Sequence, residues 1–183
     1  REEDLEMTME DFIDLDSFFY YISMVEGDSH RFVPGKNYAR RELHDEYGGN
    51  RQAGIAPAAD HPIVFLFTTP GGDRHGYDDA FLPDGTVKYT GEGQEGDMEF
   101  ERGNKAIRDH QENGDELHLF SQVGDGMVQY VGEYAYEDHE RGPLTDTHGK
   151  QRKALRFTLQ PVGEVVLPDP DAASAVFMAR SYK

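Results

Sequence analysis

Residues Gly76–Ile107 read GYDDAFLPDGTVKYTGEGQEGDMEFERGNKAI, and this stretch decides both the fold and the site. Two tyrosines, Tyr77 and Tyr89, stand twelve residues apart, and Asp78 and Asp79 come directly after the first. Asp84-Gly85 is a hairpin-type turn leading into a strand over Thr86–Thr90. Tyr89 closes that strand before Thr90-Gly91, and Gly103-Asn104-Lys105 opens a helix over 103–112 with Ala106 and Ile107 facing inward. Aromatic rings beside a carboxylate suit one nucleobase taken out of its stack. The rings cover its faces, and the acid accepts a hydrogen bond from an exocyclic amine. Taken alone, two such tyrosines read first as core or hydrogen-bonded wall residues of a barrel, and the acids as solvated turn residues.

Working outward, Pro34-Gly35 is a turn, and Asn37 is expected to cap a helix over 38–46 that ends at Gly48-Gly49. Residues 63–68, IVFLFT, form a continuous apolar run between Pro62 and Pro70, which predicts a buried strand. Strands are expected at 117–122, 127–136 and 154–159, with Tyr130, Tyr134 and Tyr136 on one strand face. Strands outnumber helices in a mixed order, which points to an α+β fold, a twisted antiparallel or mixed β-barrel with a few flanking helices.

The chain reads as three regions. Residues 1–30 are an acidic extension with Phe12, Leu15, Phe18, Phe19 and Ile22 at helical spacing, 31–161 are the principal domain, and 162–183 are a linker and the start of a further element. The chain begins REEDLEM, without an initiator Met or an apolar leader, as expected of a segment of a longer cytoplasmic protein. No run approaches about 18 apolar residues, so no membrane span is expected.

The charge is the unusual quantity. Thirty-six acids face eighteen bases for a net −18, and a DNA binder normally shows a basic footprint instead. Only six of those bases are Lys, a composition that suits a halophilic source. The bases also cluster, at Arg40 and Arg41, at Arg102, Lys105 and Arg108, and from Lys150 to Arg156, so a local positive face can coexist with a negative total. The chain has no Cys, which excludes disulfides, thiolate metal sites and cysteine nucleophiles. The histidines, among them His110, His118, His139 and His148, lack chelating spacing and read as surface residues, so no metal or other cofactor is expected. No serine stands in GxSxG and no HNH arrangement is present, so no catalytic residue is expected. The run GEGQEGD lacks the ending of a phosphate loop and carries three acids, and reads as a mobile loop.

A family resemblance rests on the order of the parts. AGI at Ala53–Ile55, the apolar strand, GYDD at Gly76–Asp79, YTG at Tyr89–Gly91 and GNKAI at Gly103–Ile107 resemble SRA domains, the SET- and RING-associated readers of modified cytosine. With YGGNRQAGI, LHLF and YVGE added, the chain is similar over residues 31–161 to the SRA-like domain of McrA-type HNH endonucleases, type IV enzymes that cut modified DNA. The resemblance implies a PUA-like barrel that flips a 5-methyl- or 5-hydroxymethylcytosine from duplex DNA. Tyr77 and Tyr89 would sandwich the base, Thr90 and Gly91 would line its wall, and Gly54 would leave room at its C5 substituent. Gln52 would fill the vacated gap, while Asn104 and Lys105 would probe the other groove. Arg51, Arg102, Arg108, Arg152 and Lys153 are the expected phosphate contacts. The family's base-reading Asp lies three residues after the first tyrosine, where this chain has Ala80, so Asp79, or Asp78, must take that role through a shifted turn. A nuclease domain elsewhere in the parent chain would cut, and a homodimer is left open. Two other readings remain open: a PUA-like barrel for a small molecule or modified RNA base, and an acidic protein-interaction domain.

Overall fold

A computed structural model describes residues 31–70 and 79–169. The chain divides into two compact units, residues 1–33 and 34–183, and the second holds the sheet and helices described below. The expected helix within 1–30, Tyr77, Asp78 and the element after 170 lie outside the described residues.

Everything is built on β3 (Ile63–Thr68), the predicted IVFLFT strand, and all six of its residues are buried. It runs parallel to β6 (Glu116–Gly124) and antiparallel to β2 (Ile55–Pro57). The run is apolar throughout because both faces are covered. Val64 and Leu66 join the main core with Ile107, Leu119, Tyr134, Leu155 and Phe157. Phe65 and Phe67 point the other way, into ring contacts with His44 and Phe120. That alternation is the period-two geometry of a strand. His44 belongs to α1 (Arg40–Tyr47), and Ile107 to α2 (Arg102–Asn113), so one helix serves each face of the sheet.

The strands form one mixed sheet in the order β2-β3-β6-β7-β8-β5-β4, with β7 (Met127–Thr145) the longest. The first part of β7 pairs with β6 and with β1 (Asn37–Ala39), and the later part pairs with β8 (Gln151–Pro161). Then β5 (Val87–Thr90) pairs with β8, and β4 (Ala80–Phe81) closes the path. Among the described strands β2 and β4 remain edges, so the sheet is twisted and open where the sequence suggested a barrel. The two ends meet through a side chain. The Tyr89 hydroxyl at the end of β5 lies 3.0 Å from the Gly54 carbonyl and 2.9 Å from that of Phe67, which stands in for a missing ladder.

Several expectations are corrected. Asn37 sits in β1 and caps nothing; α1 starts after Ala39, and the Gly48 N–H closes it on the His44 carbonyl. Tyr130 and Tyr134 do not share a face. Pairing slips between Leu119/Gly132 and Phe120/Tyr130, leaving Val131 as the extra residue of a bulge. Tyr130 therefore meets Phe120, whereas Val131 and Tyr134 both enter the main core. Residues 162–166 do more than link: Val162 and Val166 donate backbone hydrogen bonds to Glu133 and Val131, and Val165 packs on the core.

His110 and His118, read as surface residues, are both buried. His110 lies 2.8 Å from the Asp115 carbonyl and accepts from Tyr136 N–H, while His118 bonds Tyr130 Oη and Glu116. Each ring is thereby satisfied within the fold. Among the described residues no helix is long and apolar enough to cross a membrane, and no cluster of His and acids could hold a metal.

Leu119, fully buried at the centre of β6, tests the two-faced core. Leu119→Ala is expected to cost about 2–5 kcal/mol in urea unfolding. A loss under about 1 kcal/mol would contradict the packing described.

Candidate nucleic-acid interface

A cleft of about 1190 Å³ opens at the end of the sheet where β3 and β5 meet, lined by parts of residues 50–57, 67–69, 89–104 and 122–128 and by Arg40 and Asp79. Gly54, Tyr89, Thr90 and Gly91, four of the residues expected at a base pocket, line it together with Asp79.

Asp79 precedes β4, and two elements hold its carboxylate. One oxygen accepts from Thr68 Oγ1 at 2.7 Å, and the other from the Thr90 N–H at 2.7 Å. Asp79 thus lines the cleft wall, one position earlier in the sequence than the family pattern places its acid. The Thr90 side chain is a third partner, and a carboxylate offers about four acceptor sites, so among the described residues capacity for one further donor remains. Burial pushes the Asp79 acidity constant up, against the opposing pull of the Thr90 and Thr68 hydrogen bonds and the Arg156 charge. Tyr89 is buried, and burial raises its phenol well above the ordinary value, helped by the charges of Asp79 and Glu92. It is therefore a neutral donor whose one proton is shared between two carbonyls. Gly54 is exposed, and a Cβ there would meet only the Tyr89 hydroxyl and the Phe67 carbonyl, at ordinary contact distances.

Two predicted contact residues belong to the interior instead. Asn104 is buried, accepts from the Glu92 N–H at 2.8 Å and donates to the Glu92 and Glu99 carbonyls, each at 2.9 Å. It cannot probe a groove while its amide is used in this way. A Cβ on Gly91 would come within 2.7 Å of Asn104 Oδ1, so the YTG glycine is the space into which Asn104 fits. Arg152 is likewise buried, and its Nη1 donates to the Gly93 and Gly96 carbonyls, which removes it from the phosphate contacts.

These bonds, with Met98 buried and bonded across to Lys153, strap residues 91–101 to α2 and β8, so the GEGQEGD run is anchored where the sequence suggested a mobile loop. One of its acids has a positive role. Glu92 Oε1 accepts from the Gly103 N–H at 2.7 Å and caps α2, favoured by the helix dipole. Arg51 pairs with Asp45, and Arg108 with Asp109 at 2.6 Å. Arg102, Lys105, Lys153 and Gln52 are exposed, and Arg102 and Gln52 also line the cleft. Sequence reasoning assigned no part to Arg40 in the site; its only signal was a place in a basic pair.

A family model described as ScoMcrA-like, SRA domain, matches residues 34–176. The chain belongs to the ScoMcrA-like SRA domain family. The match runs past 161 and so takes in the 162–166 segment that packs on β7. Among solved structures, the sulfur binding and SRA domains of ScoMcrA complexed with phosphorothioated DNA superpose with a TM-score of 0.59 at 24% identity, covering 81% of this chain and 45% of that one. The SUVH5 SRA domain bound to fully hydroxymethylated CG DNA gives 0.55 at 21%, covering 77% and 97%. The DNA modification-dependent restriction endonuclease AspBHI gives 0.53 at 18%, covering 76% and 74%. At these identities the likeness establishes the SRA fold. The chain spans less than half of the ScoMcrA structures it matches. No curated protein sequence matches.

For the ScoMcrA-like SRA domain, the strap and the half-buried acid each give a measurable outcome. Asn104→Ala strands buried backbone groups, each at a cost of about 1–3 kcal/mol, and should lower stability by at least that much in urea unfolding. A neutral effect would contradict the strap. Because burial raises the Asp79 value, the folded state holds that proton more tightly than the unfolded chain. Its contribution lowers stability as pH rises from near 3.8 through the raised value and is absent at lower pH. Thermal melts should show Asp79→Asn gaining on the wild type across that window and holding a constant difference above it. A difference independent of pH would contradict the assignment.

Proposed function

We propose that this domain binds duplex DNA carrying a C5-modified cytosine, extrudes that base into the cleft, and reads its amino edge with Asp79. The observation that carries the reading is the Asp79 carboxylate. Hydrogen bonds to Thr68 and Thr90 hold it at the cleft wall, and among the described residues it keeps capacity for one further donor. Cytosine's exocyclic amine is a donor matched to such an acid. Tyr89 and the Thr90-Gly91 backbone form the wall beside it, and Gly54, exposed and without a side chain, borders the same cleft. Tyr77 is proposed from the family pattern as the second face of the sandwich. Gln52 is the residue proposed to fill the vacated stack, and Arg102, Lys105 and Lys153 are exposed cations suited to backbone phosphates.

Energetics favour a base-centred mode. Extrusion costs a few kcal/mol, and aromatic stacking at about 1–3 kcal/mol per base offsets it. Among the described residues six carboxylates line the cleft against two guanidinium groups, so phosphate attraction alone gives little. Membership in a family named for ScoMcrA supports a reader role, with cleavage supplied by a nuclease domain elsewhere in the parent protein.

Fluorescence anisotropy with unmodified, 5-methyl and 5-hydroxymethyl duplexes, in low and high KCl, tests this. At least one modified duplex should bind tenfold or more tighter than the unmodified one, and Asp79→Ala should erase the preference. Equal and negligible affinity for all three would overturn the reading.

A further inference from the structure

Arg40 ties two rims of the cleft together. Its backbone N–H donates to the Gly126 carbonyl at 2.9 Å, at the tip between β6 and β7. Its side chain reaches the other rim, where Nη2 donates to the Ala53 carbonyl at 2.6 Å. The guanidinium lies 3.7 Å from the centroid of the Phe67 ring, and Nε donates to His44 Nε2 at 3.3 Å. That bond makes His44 Nε2 an acceptor, so the imidazole proton sits on Nδ1, 2.9 Å from the Gly48 carbonyl. His44 is held between Phe65 and Phe67 as well. Inside the loop, Asn50 Oδ1 accepts from the Gln52 and Ala53 N–H groups, and the Gly54 carbonyl accepts from Phe67 N–H. One chain of contacts thus runs from Gly48 through His44 and Arg40 to Ala53.

We propose that Arg40 is a positioning residue that sets the Gln52–Gly54 segment against the cleft and thereby the discrimination between modified and unmodified duplex. The role in discrimination rests on the function proposed above. The geometry calls for arginine in particular. A planar group must stack on Phe67 while donating in two directions, and a lysine ammonium does neither with the same reach. Burial lowers the Arg40 value, but a guanidinium is not deprotonated in proteins. The cation is therefore permanent.

The test compares the wild type with Arg40→Lys, Arg40→Ala and His44→Phe. The last keeps an aromatic ring against Phe65 and Phe67 but removes the acceptor for Nε. In the free protein, hydrogen exchange of the Gln52 and Ala53 amides should quicken about tenfold in Arg40→Lys and Arg40→Ala, and less in His44→Phe, with β3 amides unchanged. On DNA, the modified-to-unmodified affinity ratio should fall about tenfold for both Arg40 variants, with unmodified binding and its salt slope unaltered. A plain phosphate contact would behave otherwise: both duplexes would weaken alike, the slope would shrink by about 0.9, and lysine would restore binding. That pattern, or unchanged exchange, overturns the proposal. If Arg40→Ala does not fold, Arg40→Lys and His44→Phe decide it. A wild type that binds no duplex counts against the proposed function alone, because the exchange measurement still judges the positioning.

Discussion

One phenol holds the open sheet together at the place where the site forms. Tyr89 ends β5, and its hydroxyl sits between the Gly54 and Phe67 carbonyls, on the segment entering β2 and on β3. A sheet whose edge strands do not pair with each other needs some link to define the gap between them. Here the link is a buried, neutral donor, and Asp79 reinforces it by joining Thr68 of β3 to Thr90 of β5. The cleft is the space this bridging leaves. Loss of the Tyr89 hydroxyl would therefore affect fold and site at once, since it ties β5 to the bonded Gly54–Phe67 pair on the other side of the gap.

The rest of the site is internal construction facing outward. Asn104 and Arg152 point inward and hold residues 91–101, and Glu92 from that same run caps α2. An acid-rich segment beside a proposed DNA surface is hard to explain as a contact surface. As a strap it makes physical sense, because carboxylates accept from exposed helix N–H groups and from the backbone of a neighbouring strand. Among the described residues only two cations then line the cleft, which supports the proposal that recognition centres on the base.

Much of this was legible in the sequence because local chemistry controlled it. IVFLFT became β3, Asp84-Gly85 became the turn before β5, and GNKAI opened a helix with Ile107 inward. The order of AGI, YTG and GNKAI placed Gly54, Tyr89, Thr90 and Gly91 around one cleft. What remained hidden depended on partners distant in sequence. The bulge at Val131 follows from how β6 and β7 pair, so an alternating pattern could not reveal that Tyr130 and Tyr134 part company. The burial of His110 and His118 depends on Tyr136 and Tyr130 arriving from β7, beside the local partners Asp115 and Glu116. Asn104 and Arg152 look like ordinary surface polar residues until the 91–101 carbonyls they satisfy fold back over them. Arg40 gave no sign beyond its charge, because its role lies in Ala53 and Phe67.

Asp79, one residue from the family position, is the carboxylate proposed to read an extruded cytosine. A crystal structure of the domain with a duplex containing 5-methylcytosine tests this most directly. The base is expected outside the helix, stacked against Tyr89, with an Asp79 oxygen about 2.7–3.2 Å from the exocyclic amine. A modified base still stacked in the duplex, or one bound with Asp79 turned away, would contradict it.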